Sequence, residues 1–227
     1  MSSRDELQYR AMETLIGNRS RLLVQQTKEW GEILLGFETR NRFEIRDEDG
    51  TTIGYAAEEG GGFGTVLLRN LFGRWRAAKV HIYDTGGKEL GRGEKSFRFY
   101  FHRMEVYDGG QKIGAVQRRF SILHRIFTIE DAAGREILTI KSPFLRIWTF
   151  KLLAEGKEVG RISKRWGGLL KEVFTDADLF GVEFTHREIP MELKKLLLVA
   201  VFLVDFVCFE GNTKKGLAFD LMDIGGG

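Results

Sequence analysis

Five times between residues 40 and 185 the chain repeats one short pattern: an alternating stretch, a turn rich in Asp and Gly, and a second stretch ending on Ile, Leu or Val. The copies are FEIRDEDGTTIG, VHIYDTGGKELG, MEVYDGGQKIG, FTIEDAAGREIL and TFKLLAEGKEVG. Their turn glycines Gly87, Gly110, Gly134 and Gly156 lie 23, 24 and 22 residues apart. Period-2 alternation broken by Asp/Gly turns at even spacing is the mark of consecutive β-hairpins. A glycine often follows the apolar end residue as well (Gly54, Gly114 and Gly160 among them), where a bulge or a bend is expected. Adding a last hairpin through LLKEVF and LFGVEF gives about twelve antiparallel strands. So many twisted strands curl, and closure removes their exposed edges. With Pro143 and Pro190 as the only prolines, nothing interrupts the run.

The next segment says what such a barrel contains. Pro190 suits the first turn of a helix, and MELKKLLLVAVFLVDFVCFEG then runs to a stop at Gly211. From Leu196 to Phe209 only Asp205 is polar. A helix apolar on every face must be enclosed, in a core or in lipid. Its apolar part, about 14 residues, is short of the ~20 that cross a bilayer. Asp205 adds a further ~2.5–3.5 kcal/mol at mid-membrane. A barrel of ~8 strands is filled by its own side chains, whereas one of about eleven or more houses a helix.

The expectation is therefore a mostly β chain: a closed antiparallel barrel of about twelve strands around a buried hydrophobic C-terminal helix over 190–210. Leu196, Leu203, Phe206 and Phe209 would fill the barrel, and Asp205 would need a buried partner, since an unpaired buried carboxylate is costly. The barrel domain is expected over 21–212, with an N-terminal segment 1–20 and a tail 213–227. In the N-terminal segment Leu7, Ala11 and Leu15 recur every fourth residue, so a short amphipathic helix is expected there, with the domain or a membrane as its dock.

Charge and composition narrow the function. The net charge of +3 is too small for a dedicated nucleic-acid binder, so no nucleic-acid partner is expected. Basic residues come in pairs, among them Arg118–Arg119, Lys164–Arg165 and Lys194–Lys195, read either as solvated faces or as patches for an anionic membrane surface. The single Cys208 rules out an internal disulfide framework and fits a reducing compartment. Residues 1–20 have no continuous apolar core, so no signal peptide is read. The glycine-rich stretch EEGGGFGTV is not followed by Gly-Lys-Ser/Thr, which argues against a phosphate loop. His81, His102, His124 and His186 are too scattered for a metal pair, and no Gly-x-Ser-x-Gly elbow occurs. No enzyme is expected.

The blocks GFETRNRFEI, YAAEE, VGRISKRWGGLLKEVFTDADLFGVEF and LVDFVCFE resemble, in the same order, those of the phospholipid scramblases, over roughly residues 22–210. The resemblance implies a tubby-like fold, a twelve-stranded barrel around a hydrophobic C-terminal helix. It also implies ATP-independent movement of phospholipids between leaflets, with calcium as trigger. The proline-rich N-terminal region of the animal proteins has no counterpart here, and where they carry a palmitoylated cysteine cluster this chain reads KSFRFYFHRM.

The family's calcium stretch corresponds to TDADLFGVEFTHR. Asp176 and Asp178 hold places one and three, Gly181 place six, and Phe180, Val182 and Phe184 places five, seven and nine. Place twelve, where a carboxylate is needed, is Arg187, a cation that repels calcium. Alternation puts Glu183 on the face opposite Val182 and Phe184. Weak calcium binding, or an aspartate-rich turn between strands, is the expectation. Two functions follow: a scramblase-like protein acting on phospholipids, or a soluble barrel that binds anionic lipid or a protein partner at a membrane surface. Either way the chain is expected to be a cytoplasmic monomer, peripherally membrane-associated.

Overall fold

The computed structural model describes residues 11–27, 39–60, 75–143, 145, 148–164, 179–185 and 189–209. In chain order the elements are α1 (Ala11–Ile16), β1 (Arg21–Thr27), β2 (Thr39–Arg46), β3 (Thr52–Glu59), β4 (Ala78–Asp84) and β5 (Glu89–Lys95). Then come β6 (Arg103–Asp108), β7 (Gln111–Arg119), β8 (His124–Asp131), β9 (Glu136–Pro143), β10 (Thr149–Ala154), β11 (Lys157–Ser163), β12 (Leu179–Phe184) and α2 (Met191–Cys208). Each strand pairs antiparallel with its sequence neighbours, and β12 pairs with β1, so twelve strands form a closed barrel.

The five repeats are the hairpins β2–β3, β4–β5, β6–β7, β8–β9 and β10–β11. Their turn glycines Gly87, Gly110, Gly134 and Gly156 sit at φ of 82°, 93°, 80° and 77°, a region that side chains with a Cβ avoid. The bulges expected from the sequence recur in every hairpin. One extra residue (Ile53, Leu90, Ile113, Ile137 or Val159) interrupts the register of the second strand. A bulge at the same point of each hairpin bends all five alike, which is how a sheet is curved into a barrel.

The count of twelve is reached differently from the sequence expectation. LFGVEF is β12, but LLKEVF lies outside the described residues. The closing strand is β1, RLLVQQT, which pairs with both β2 and β12. It belongs to no hairpin repeat, so hairpin grammar does not reveal it.

α2 threads the barrel. It follows β12 at the end holding the five hairpin turns and finishes at the opposite end, among the connections between hairpins. Residues 196–204 of α2 are all buried. Phe202 meets Phe43 of β2 edge to face at 5.2 Å. Close approach demands small residues on the wall: a Cβ at Gly93 would lie 2.6 Å from Val199 Cγ1. α1 packs across the turn end, with Met12, Leu15 and Ile16 buried in the same core as α2. The stripe that docks is thus Met12–Leu15–Ile16; Leu7 lies outside the described residues.

Candidate functional site

The helix in its sheath ends in two polar clusters. At the turn end Lys195 is fully enclosed, its Nζ 2.8 Å from Asp108 Oδ2 and 3.0 Å from Glu192 Oε1. Asp108 is equally buried, and its Oδ1 accepts the Met12 N–H at 2.9 Å. Burial pushes the Asp108 carboxyl above its ordinary value, against the pull of Lys195 and the Met12 N–H. Burial likewise opposes the Lys195 charge, but Asp108 and Glu192 outweigh it and hold the ammonium above its usual range. The two shifts favour opposite states of one pair. The 2.8 Å contact, with a second carboxylate at 3.0 Å, decides for the charged state.

Lys194 is buried too, donating to the Arg19 carbonyl at 3.2 Å with its Nζ 5.2 Å from the Phe184 ring centre. Burial lowers its pKa, against the raising effect of Glu48. Lys194 and Lys195 are therefore not a membrane-facing pair. Both side chains are buried, so neither presents its charge outward.

At the far end Phe209 stacks on Trp148 at 5.7 Å and meets Phe180 edge-on at 5.1 Å. Lys164 Nζ covers both phenyl rings, 4.8 Å from Phe180 and 4.6 Å from Phe209. Nearby, Arg76 and Glu58 form a buried ion pair, with Arg76 Nη2 3.1 Å from Glu58 Oε2 and its guanidinium 5.4 Å from the Phe206 ring. Asn41 Nδ2 donates to Glu58 at 2.6 Å, and Lys95 Nζ donates to the Arg76 carbonyl. The expected buried carboxylate Asp205 is partly exposed, one turn before the helix end. Among the described residues the buried carboxylates are Asp108, Glu58 and Glu130 instead.

Arg118 and Arg119 do not form one patch. Successive residues of a strand point to opposite faces. Arg118 lies over the core ring of Phe127 at 5.0 Å. Arg119 points outward and bonds Thr128 Oγ1 at 2.9 Å and Glu130 Oε1 at 3.1 Å. Arg165 lies outside the described residues.

A family model described as Scramblase matches residues 3–211. The chain belongs to the scramblase family. It is 32% identical over 204 residues to Phospholipid scramblase 2 of Bos taurus, covering 83% of this chain and 68% of that protein. With Phospholipid scramblase 1 of Homo sapiens it shares 32% identity over 206 residues, 84% of this chain and 63% of the other. The chain thus spans about two thirds of these relatives. A solved structure of an Arabidopsis thaliana protein aligns over 82% of this chain and 90% of its own at a TM-score of 0.45, with 13% identity.

Within this scramblase-family chain, half of the calcium stretch can be placed. Asp176, Asp178, His186 and Arg187 lie outside the described residues. Phe180, Val182 and Phe184, the loop's places five, seven and nine, are buried in β12. That strand is hydrogen-bonded on both sides, to β1 and to β11. The side chains of these three residues hold no oxygen, and the backbone of the strand is engaged in a ladder on each side. Glu183 faces out and binds Arg21 at 3.1 Å and Arg161 at 2.9 Å, tying β1, β12 and β11 together. Burial works against its charge, but the two arginines lower its pKa below the ordinary value. Among the described residues no group of three or more His, Cys, Asp or Glu is placed to hold a metal. Among them, too, no helix is long and apolar enough to cross a membrane.

Proposed function

We propose that this protein moves phospholipids between membrane leaflets without ATP, working from the membrane surface with α2 kept inside its barrel. Family membership supports the substrate class, and the absence of a Gly-Lys-Ser/Thr loop from the sequence supports independence from ATP. The observation that carries the mechanism is the enclosure of residues 196–204. A head group crosses hydrocarbon only along a polar path, and a sheathed helix offers none. The barrel must therefore act by deforming the bilayer it rests on. Calcium is not required in this reading, because the second half of the calcium stretch is a strand of the wall.

The same enclosure favours a second reading, in which the barrel binds anionic lipid as a peripheral monomer and leaves the leaflets unmixed. One experiment separates the two. Protein purified without detergent is added to liposomes carrying head-group-labelled lipid, and a membrane-impermeant quencher then reports how much label is shielded in the inner leaflet. Loss of that shielded pool, without ATP and equally with calcium or a chelator, is the expected outcome. A shielded pool that persists while the protein is bound supports the second reading. Scrambling that requires calcium overturns the account of the β12 stretch.

A further inference from the structure

The two ends of the barrel differ in chemistry. Among the described residues, every exposed large apolar side chain except Ile137 lies at the end where α2 finishes, on the connections β5–β6, β7–β8 and β9–β10. Tyr100 and Ile122 are each 80% exposed, and Leu145 is 92% exposed. These connections join six neighbouring strands, so the side chains cover one continuous half of the rim. Scattered apolar residues need no explanation, but a contiguous group on one end marks an interaction surface.

The first connection is held in its outward shape. Arg98 N–H donates to the Trp75 carbonyl at 3.1 Å, and the Phe99 ring rests 5.4 Å from that of Trp75. Gln117 Nε2 donates to the Phe101 carbonyl at 2.6 Å, where Phe101 sits at φ 52°, a left-handed conformation unusual for a residue with a side chain. A strained aromatic residue fixed outward by a buried amide is a site hypothesis in its own right.

Charge follows the same axis. Residues 95–104, 118–129 and 141–154, which make this rim, contain no Asp or Glu but several Lys and Arg. Arg119 and Arg103 are already paired by Glu130, whereas Arg98 is exposed. The opposite end carries carboxylates in all five turns, from Asp47, Glu48 and Asp49 to Glu155.

We infer that this rim is a membrane-docking face. Tyr100, Ile122 and Leu145 enter the interfacial layer of a bilayer rich in anionic lipid, and the acidic turn end points into water. The inference rests on the reading that the protein works at a membrane and adds the surface and orientation it uses. A bilayer is the occupant the observations select. Side chains protruding from separate loops, with aromatic rings beside basic groups and no acidic ones, match an anionic interface, and a lipid surface needs no complementary shape.

The test uses a Cys208→Ser background with a polarity-sensitive dye at Tyr100→Cys, at Ile122→Cys or, in the β8–β9 turn, at Ala133→Cys. Vesicles of mixed neutral and anionic phospholipid carry a quencher on their acyl chains. The expected result is a blue shift and quenching at Tyr100 and Ile122, with neither at Ala133. In the unlabelled protein, Ile122→Ser or Leu145→Ser is expected to weaken vesicle partitioning about tenfold each. Bound protein quenched at Ala133, or unquenched at the rim, overturns the docking face and leaves the membrane reading standing. No binding to anionic vesicles at low salt overturns both. Rim labels shielded without vesicles, together with a concentration-dependent dimer in sedimentation, would assign the face to a second copy of the chain and so overturn the inference.

Discussion

Replacing Lys195 by Met separates a sealed barrel from one that admits water at its turn end. Lys195 Nζ has no exposure and contacts Asp108 at 2.8 Å and Glu192 at 3.0 Å. Methionine fills much of the volume of the lysine stem, so little of the effect comes from a cavity. What remains is the uncompensated Asp108 carboxylate, which keeps only the Met12 N–H. Removing one partner of a buried pair costs ~3–5 kcal/mol, a large share of a typical ~5–15 kcal/mol. In a domain of this size each kcal/mol moves Tm by ~2–4 °C, so Lys195→Met should melt about 6–20 °C lower. The double variant Lys195→Met/Asp108→Asn should recover most of that loss, since the amide keeps an acceptor for Met12 and no charge is left stranded. The pH response has a definite sign. Burial already raises the Asp108 pKa, and loss of the cation raises it further. A carboxyl whose folded pKa exceeds its unfolded value contributes stability that is present at low pH and lost as pH rises through the folded value. Lys195→Met should therefore gain stability relative to the parent between pH 7 and 5. Thermal unfolding followed by tryptophan fluorescence at both pH values is the assay. A single variant melting within ~2 °C of the parent, with no gain on acidification, would refute the sealed turn end.

Leu203, which has no exposure in the middle of α2, should cost ~2–5 kcal/mol when cut to Ala; unchanged denaturant unfolding would remove α2 from the core. Glu183→Gln should lose about 1 kcal/mol at pH 7, as expected for partly exposed ion pairs. Because the folded Glu183 pKa is lowered, its contribution is present above the ordinary carboxylate range and lost as pH falls through the folded value. Parent and variant should thus converge near pH 3 in urea titrations, and a constant gap would show that the seam is not electrostatic. Calcium should bind at ~10⁻³ M or weaker; micromolar affinity by calorimetry, abolished by Asp176→Ala, would overturn that.

What was legible in the sequence was whatever repeats or runs without interruption. The hairpin spacing, the bulge glycines Gly54, Gly114 and Gly160, and the all-round apolar helix each follow from local pattern, and together they select a barrel large enough to hold a helix. What is set by partners distant in sequence was not legible. β1 closes the barrel against β12, about 160 residues away by the Arg21–Glu183 contact. Lys195 looks like a surface lysine until Asp108, the last residue of β6, is placed beside it. That Arg118 and Arg119 point to opposite faces does follow from the sequence, because strand alternation alone separates neighbouring side chains. The outward aromatic residues of KSFRFYFHRM were visible as letters, but only the strand order brings them beside Ile122 and Leu145.

The magnitude of burial decides whether α2 can leave its sheath to span a bilayer. The helix itself could be buried again in lipid, apart from Lys194, Lys195 and Asp205, each costing up to ~2.5–3.5 kcal/mol according to its depth in the bilayer. The wall has no such refuge. Phe43, Ile45, Val80, Met104, Phe127 and Phe150 are buried in the same core as α2, and withdrawal would open that core to water. Full exposure of such side chains costs ~1.5–3 kcal/mol each, so roughly five of them match the whole ~5–15 kcal/mol of a typical fold. Withdrawal of α2 is thus equivalent in cost to unfolding the barrel. A mechanism that keeps the helix sheathed and presents the rim to lipid avoids that cost, because the side chains it transfers, Tyr100, Ile122 and Leu145 among them, are already exposed to water.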